Sequence, residues 1–150
     1  MLLETDIRAV WDEILPGILS IHKKNPWNDW RPEDIYAACS RKEAMLFTQE
    51  GIPAGKSFMV VLVDVKPRTL ERVLHIWIAY SPEHLGALYA SDTLSELALN
   101  NRCSAIEFVT DNPKVKEHGA KFGYTKSAFI LRKELEPKEQ SSQIGVESLM

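Results

Sequence analysis

Arg72-Val73-Leu74-His75-Ile76-Trp77-Ile78-Ala79-Tyr80 is the stretch on which the fold turns. Apolar residues fall on both parities of the run, so both faces of this strand are covered and it lies inside a sheet. Beyond it, residues Pro82 to Asn100 predict a helix with Ala87, Ala90, Leu94, Leu97 and Ala98 inward. Ser104 to Thr110 then reads as a further strand. A long helix between two strands of one sheet demands a crossover, so Tyr80 and Ser104 should end and start parallel neighbours.

Upstream, Ser57-Phe58-Met59-Val60-Val61-Leu62-Val63-Asp64-Val65 is rich in β-branched residues and reads as a strand. Lys66-Pro67-Arg68-Thr69 turns the chain into the decisive strand, and Gln49 to Lys56 is a loop behind Ala44-Met45-Leu46-Phe47-Thr48. Those three strands form a meander. Before them, Ile7, Val10, Trp11, Ile14, Leu15, Ile18 and Leu19 recur at helical spacing over Asp6 to Lys24. Asp6 suits the N-cap, and Pro16-Gly17 should kink or split the helix. A connector with Trp27 and Trp30 leads to a second helix with Pro32 near its start, running to about Cys39. The two tryptophans read either as a binding patch or as a cover over the sheet's edge.

Downstream, Pro113 to Phe122 predicts a short helix and Ser127 to Arg132 a last strand. The chain turns polar from Glu134, which divides it into a domain over residues 1–136 and a tail over 137–150. The expected class is α/β (α+β), a mixed central sheet with helices on both faces.

At 150 residues the chain fits one domain with a proper core. Its net charge of −3 gives no reason to expect nucleic acid or an anionic membrane as partner. The two cysteines, Cys39 and Cys103, read as buried thiols of a reducing compartment. No apolar run approaches the roughly 20 residues of a membrane span, and Met1 to Asp6 has no basic leader. A cytoplasmic site of synthesis is the expectation. The four histidines lack metal-ligand spacing, and no Walker, G-x-S-x-G or G-x-G-x-x-G pattern occurs.

Asn112-Pro113-Lys114-Val115-Lys116-Glu117-His118-Gly119-Ala120-Lys121-Phe122-Gly123-Tyr124 carries the most specific spacing in the chain. Asn112 caps a helix, Gly123 supplies the left-handed residue that ends it, and Tyr124 begins the return strand. With the order of elements, this stretch resembles the GNAT (GCN5-related N-acetyltransferase) family, whose pattern there is N-x-x-A-x-x-x-Y-x-x-x-G-F. The resemblance covers roughly Ile7 to Leu135. It implies acetyl-CoA as cofactor, held at Tyr80, His84, Leu85, Gly86, Ala87, Leu88 and Asn112.

Two departures weaken that implication. In the family, R/Q-x-x-G-x-G/A after the central strand presents bare N–H groups to the pyrophosphate. Here the stretch is Ser81-Pro82-Glu83-His84-Leu85-Gly86-Ala87-Leu88-Tyr89-Ala90. Aligned on Gly86, the cationic position is Glu83 and the last small position is Leu88. Aligned on Pro82, they become Leu85 and Ala90, with Leu88 in place of a glycine. A carboxylate beside a pyrophosphate is unfavourable. The second departure is Gly119, which stands where many relatives carry the tyrosine that protonates the leaving thiolate. His118, about 100° away on the helix, is either a replacement acid or a surface histidine. His75 and Glu107, on neighbouring strands where the family places its substrate amine, are either a base or a structural polar pair.

Two functions therefore stand. One is an acyl-CoA-dependent N-acyltransferase acting on an amine. The other is a GNAT-fold protein that has lost catalysis and binds or assembles with other protein subunits. Asp6-Ile7-Arg8-Ala9-Val10-Trp11, Arg31-Pro32-Glu33-Asp34-Ile35-Tyr36 and the decisive strand resemble small acetyltransferase-like proteins of tailed phages and prophages, some of them virion components. The tail's Gln140 to Gln143 has no apolar face, but Ile144, Val146, Leu149 and Met150 form a terminal apolar group suited to a groove on another chain.

Overall fold

A computed structural model describes residues 1–24, 28–83, 91–109, 117, 119–121, 123, 124, 133 and 135. The expected last strand over 127–132 and the tail over 137–150 lie outside the described residues, as does Trp27. In chain order the elements are β1 (Leu2–Thr5), α1 (Ile7–Lys24), α2 (Pro32–Ser40), β2 (Met45–Gln49), a 3-10 turn (Ala54–Lys56), β3 (Phe58–Val65), β4 (Arg72–Tyr80), α3 (Asp92–Asn100) and β5 (Ala105–Phe108).

The strands lie in the order β1-β2-β3-β4-β5. The first four pair antiparallel in succession, and β5 pairs parallel with β4. The crossover expected from Tyr80 to Ser104 is therefore present, and β4 has a strand on each side. One face of the sheet carries α3, whose Leu94 and Ala98 close on Leu2, Phe47, Met59, Leu74 and Ile76. The opposite face carries α1 and α2, with Ile14, Ile18 and Ile35 buried on Leu46, Phe58, Val60 and Ile78.

Three expectations need correction. The expected order opens with a helix, whereas Leu2–Thr5 forms a strand, β1, against β2, with Leu2 opposite Gln49. The helix α1 is not split at Pro16-Gly17. Pro16 is exposed, so the carbonyl that loses its donor four residues back lies on the water side. Gly17 faces the sheet, where a Cβ would come within 2.8 Å of the Phe58 ring and 3.0 Å of the Tyr80 ring. It admits the helix to the strands. The third correction concerns the helix over Pro82 to Asn100, which is not continuous. Ser91 is extended (φ −66°, ψ 130°) and its hydroxyl accepts from the Thr93 N–H, so a new helix starts at Asp92.

Asp6 caps α1 as its position suggests, accepting from the Arg8 N–H at 3.0 Å. Trp30 is buried in the helix-side core and meets His22 edge-on at 5.0 Å. Burial pushes the Cys39 thiol up to about 11, which keeps it protonated and inert.

The β3–β4 turn holds a strained residue. The Lys66 N–H donates to the Glu71 carbonyl and the Leu70 N–H to the Lys66 carbonyl, both at 2.8 Å. Closing that loop puts Leu70 at φ +61°, in the left-handed region, with 73% of its surface exposed. A Leu70→Gly substitution should raise stability by about 0.5–1 kcal/mol, the left-handed penalty less the glycine's unfolded-state entropy. Urea denaturation of the two proteins measures it.

Candidate functional site

The candidate site lies where β4 and β5 part. Parallel pairing runs from Val73 opposite Ala105 to Ile76 opposite Phe108. The pairing of β4 with β3 slips at the same level: Val61 faces Ile76 and Val60 faces Ile78, leaving Trp77 as an extra residue. A bulge of this kind shifts the alternation of the strand. Leu74 and Ile76 belong to the α3-side core, whereas Trp77, Ile78 and Tyr80 all meet the α1-side core. The bulge thus turns three aromatic or apolar side chains of the C-terminal half toward α1.

His75 and Glu107 stand opposite each other in the parallel register. Glu107 Oε1 accepts a 2.7 Å hydrogen bond from Lys66 Nζ, and Asp64 Oδ2 lies 3.7 Å from the same ammonium. His75 Nδ1 is 3.6 Å from Glu107 Oε1, buried and without a hydrogen-bond partner. Sequence reasoning paired His75 with Glu107 and missed Lys66, 41 residues from Glu107 in the chain. The bond to Glu107 raises the affinity of Lys66 for its proton, with desolvation opposing and Asp64 assisting. Lys66 should therefore contribute stability that is fully present below its unfolded value near 10.5 and lost as pH rises through the higher folded value. Urea melts should show Lys66→Met less stable than the parent at pH 9, with the gap closing above that folded value. A gap that stays constant to the alkaline limit would show that the pair contributes nothing.

Tyr80 commits its ring to structure. It stacks on Phe58 with centroids 5.3 Å apart and 27° between planes. The next residue, Ser81, is 3% exposed and its hydroxyl has no hydrogen-bond partner. Neither sequence motif pointed to it. His84, Leu85, Gly86, Ala87 and Leu88 of the loop lie outside the described residues, as do Asn112 and His118. Glu117 and residues 119–121 are helical. Gly123 ends that turn at φ +90°, as its place in the motif requires, and the Tyr124 N–H donates to the Gly119 carbonyl at 3.0 Å. A Cβ on Gly119 would lie 3.4 Å from Tyr124 Cβ and 3.8 Å from Phe108 Cζ, so the place of the family's tyrosine is bounded by two aromatic rings. Those rings meet edge-on at 5.1 Å, and burial raises the Tyr124 phenol above its ordinary value.

The sheet order, the parallel β4–β5 step and the helices on both faces can now be set beside known proteins. No protein-family model matches the sequence, and no curated protein matches it. Solved structures do match. An acetyltransferase of Trypanosoma brucei superimposes with a TM-score of 0.63 at 15% identity, over 90% of this chain and 99% of that one. The chain has the GNAT acetyltransferase fold. A second GNAT-fold neighbour, a Clostridium acetobutylicum protein described as a predicted acetyltransferase and solved with acetyl-CoA, gives 0.65 at 10% identity, over 89% and 95%. An aminoglycoside acetyltransferase from an uncultured soil metagenomic sample, in complex with sisomicin, gives 0.62 at 6% identity, over 92% and 96%.

Ser81 offers a neutral buried donor where β4 ends, whereas Glu83 brings negative charge to the start of the loop. Among the described residues no group of histidine, cysteine and carboxylate side chains is placed to hold a metal ion. No helix among them is long and apolar enough to cross a membrane.

Proposed function

We propose that this chain is a GNAT-fold binding or assembly protein whose acyl-CoA loop is degraded and whose chemistry has lapsed. The observation that carries the reading is the Lys66–Glu107 bond of 2.7 Å. One oxygen of the carboxylate at the strand divergence is already engaged by an ammonium of the chain itself, which competes with a substrate amine for it. Gly119 in place of the thiolate's acid and Glu83 in the phosphate loop point the same way. The setting in a tailed phage or prophage, as a virion component, rests on the sequence resemblance alone. The partners would be other protein subunits, engaged through the tail over 137–150.

The alternative is an acyl-CoA-dependent N-acyltransferase. The bulge at Trp77, the short β4–β5 pairing and the orphaned Ser81 hydroxyl favour it. In that case Ser81 and the backbone of Tyr80 would hold acetyl-CoA, which supplies the acyl group as a thioester. His75 or Glu107 would take the proton of the amine, directly or through a water.

Calorimetric titration of acetyl-CoA separates the two. The degraded-loop reading expects binding no tighter than about 100 μM, roughly −5.5 kcal/mol, and no acetyl transfer to free amines. Low-micromolar binding, on the order of −8 kcal/mol, would restore the enzyme.

A further inference from the structure

The geometry points to head-to-tail self-association, in which the β3–β4 turn of one copy enters the groove between α1 and α2 of the next. Each half of this contact is unexplained by the fold alone. The turn carries Leu70, 73% exposed and left-handed at φ +61°, beside Val65, 43% exposed, and the exposed cation Arg68. A large apolar side chain in water, held in a strained backbone where glycine or asparagine would be at ease, serves stability on neither count. It has the form of an anchor: a closed loop with an apolar tip near Arg68, where the neighbouring Glu71 carboxylate is bonded to the Ser104 hydroxyl at 2.6 Å.

The groove has the complementary form. It is a cavity of about 430 Å³ whose walls include Trp11, Tyr36, Asp12, Glu13, Glu33 and Arg8. Trp11 and Tyr36 meet edge-on at 5.0 Å and offer apolar surface. Arg8 is bound through its guanidinium to Asp6 at 3.1 Å, which leaves the three carboxylates to set the sign of the rim. Glu13 also accepts from the Gly55 N–H at 3.1 Å, a neutral donor that leaves its charge in place. A cavity of this size takes a leucine tip with room for the flanking arginine. The charges are complementary in sign: Arg68 of one copy would meet Glu33 and Asp12 of the next.

Knob and groove lie on different parts of the chain, one at a strand turn and one on the helical layer. The contact is taken head-to-tail, so that copies add in rings or open rows; two copies exchanging both turns would instead close as a two-fold dimer. It is independent of whether the loop after β4 holds acyl-CoA.

Sedimentation of the full chain, from about 10 μM to about 1 mM where weak protein contacts titrate, tests it. Mass should climb past that of a dimer, and added salt should reverse the climb. Arg68→Glu and Glu33→Arg should each weaken association about tenfold or more, and the double variant should recover most of it, because every copy then carries the swapped pair. Leu70→Gly should weaken association while raising thermal stability. A parent protein that stays monomeric throughout overturns the inference, and so does a closed dimer. Single reversals without effect, or a double variant as weak as its parents, would do the same.

Discussion

Replacing Phe58 by alanine should destabilise the domain by about 3–5 kcal/mol, a large part of what holds a domain of this size together. Phe58 is fully buried where β3 meets the helical layer, and its ring stacks on Tyr80. Removing it leaves a cavity between two elements that cannot both move in. The α1 backbone is held close at Gly17, and β3 is fixed between β2 and β4. Urea denaturation followed by tryptophan fluorescence measures the loss, and Phe58→Leu should recover a good part of it. A cost below about 1 kcal/mol would mean that the α1–sheet contact is looser than these distances imply.

Gly17→Val should rank next, at about 2–3 kcal/mol. Its Cβ would fall at 2.8 Å from the Phe58 ring, and the branched methyls would reach farther toward Tyr80. Neither ring can retreat, because each is stacked on the other. The helix must lift instead, which loosens Ile14 and Ile18 on the same face. Gly17→Ala is a sharper control: alanine's better helix propensity offsets about 1 kcal/mol of the crowding, so its net cost should be clearly smaller. Equal costs for valine and alanine would show that the rings do give way.

How far the fold could be read from residues depended on the length of each pattern. The apolar run Arg72 to Tyr80 and the crossover behind it required a central strand with a parallel neighbour, and both are present. Four residues with one buried side chain made β1 invisible, since Leu2 alone marks no period. The break before α3 did leave a sign, Ser91-Asp92-Thr93, but apolar residues recurring from Ala87 to Leu97 outweighed the cap. Pro16 was read through its missing donor alone, although its solvent side makes that loss cheap. At the site, His75 and Glu107 were placed together by strand register. Lys66 was not, because a long side chain reaching from the end of β3 over β4 to β5 obeys no spacing rule. Residues 84–88 and His118 lie outside the described residues, so the reading there is carried by the sequence departures at Glu83 and Gly119.

The extra residue at Trp77 gives β4 two reading frames. Up to Ile76, even-numbered side chains serve the α3 side; past Trp77, the even-numbered Ile78 and Tyr80 serve the opposite side. The two halves of one strand can therefore be edited separately. Substitutions before the slip alter the core beneath α3, and those after it alter what meets α1 and the mouth of the loop. Deleting one residue at Trp77 would merge the frames, sending Ile78 and Tyr80 to the wrong layer and leaving Gly17 facing a gap. A substitution on such a strand disturbs one layer, whereas a change of length at this point disturbs both at once.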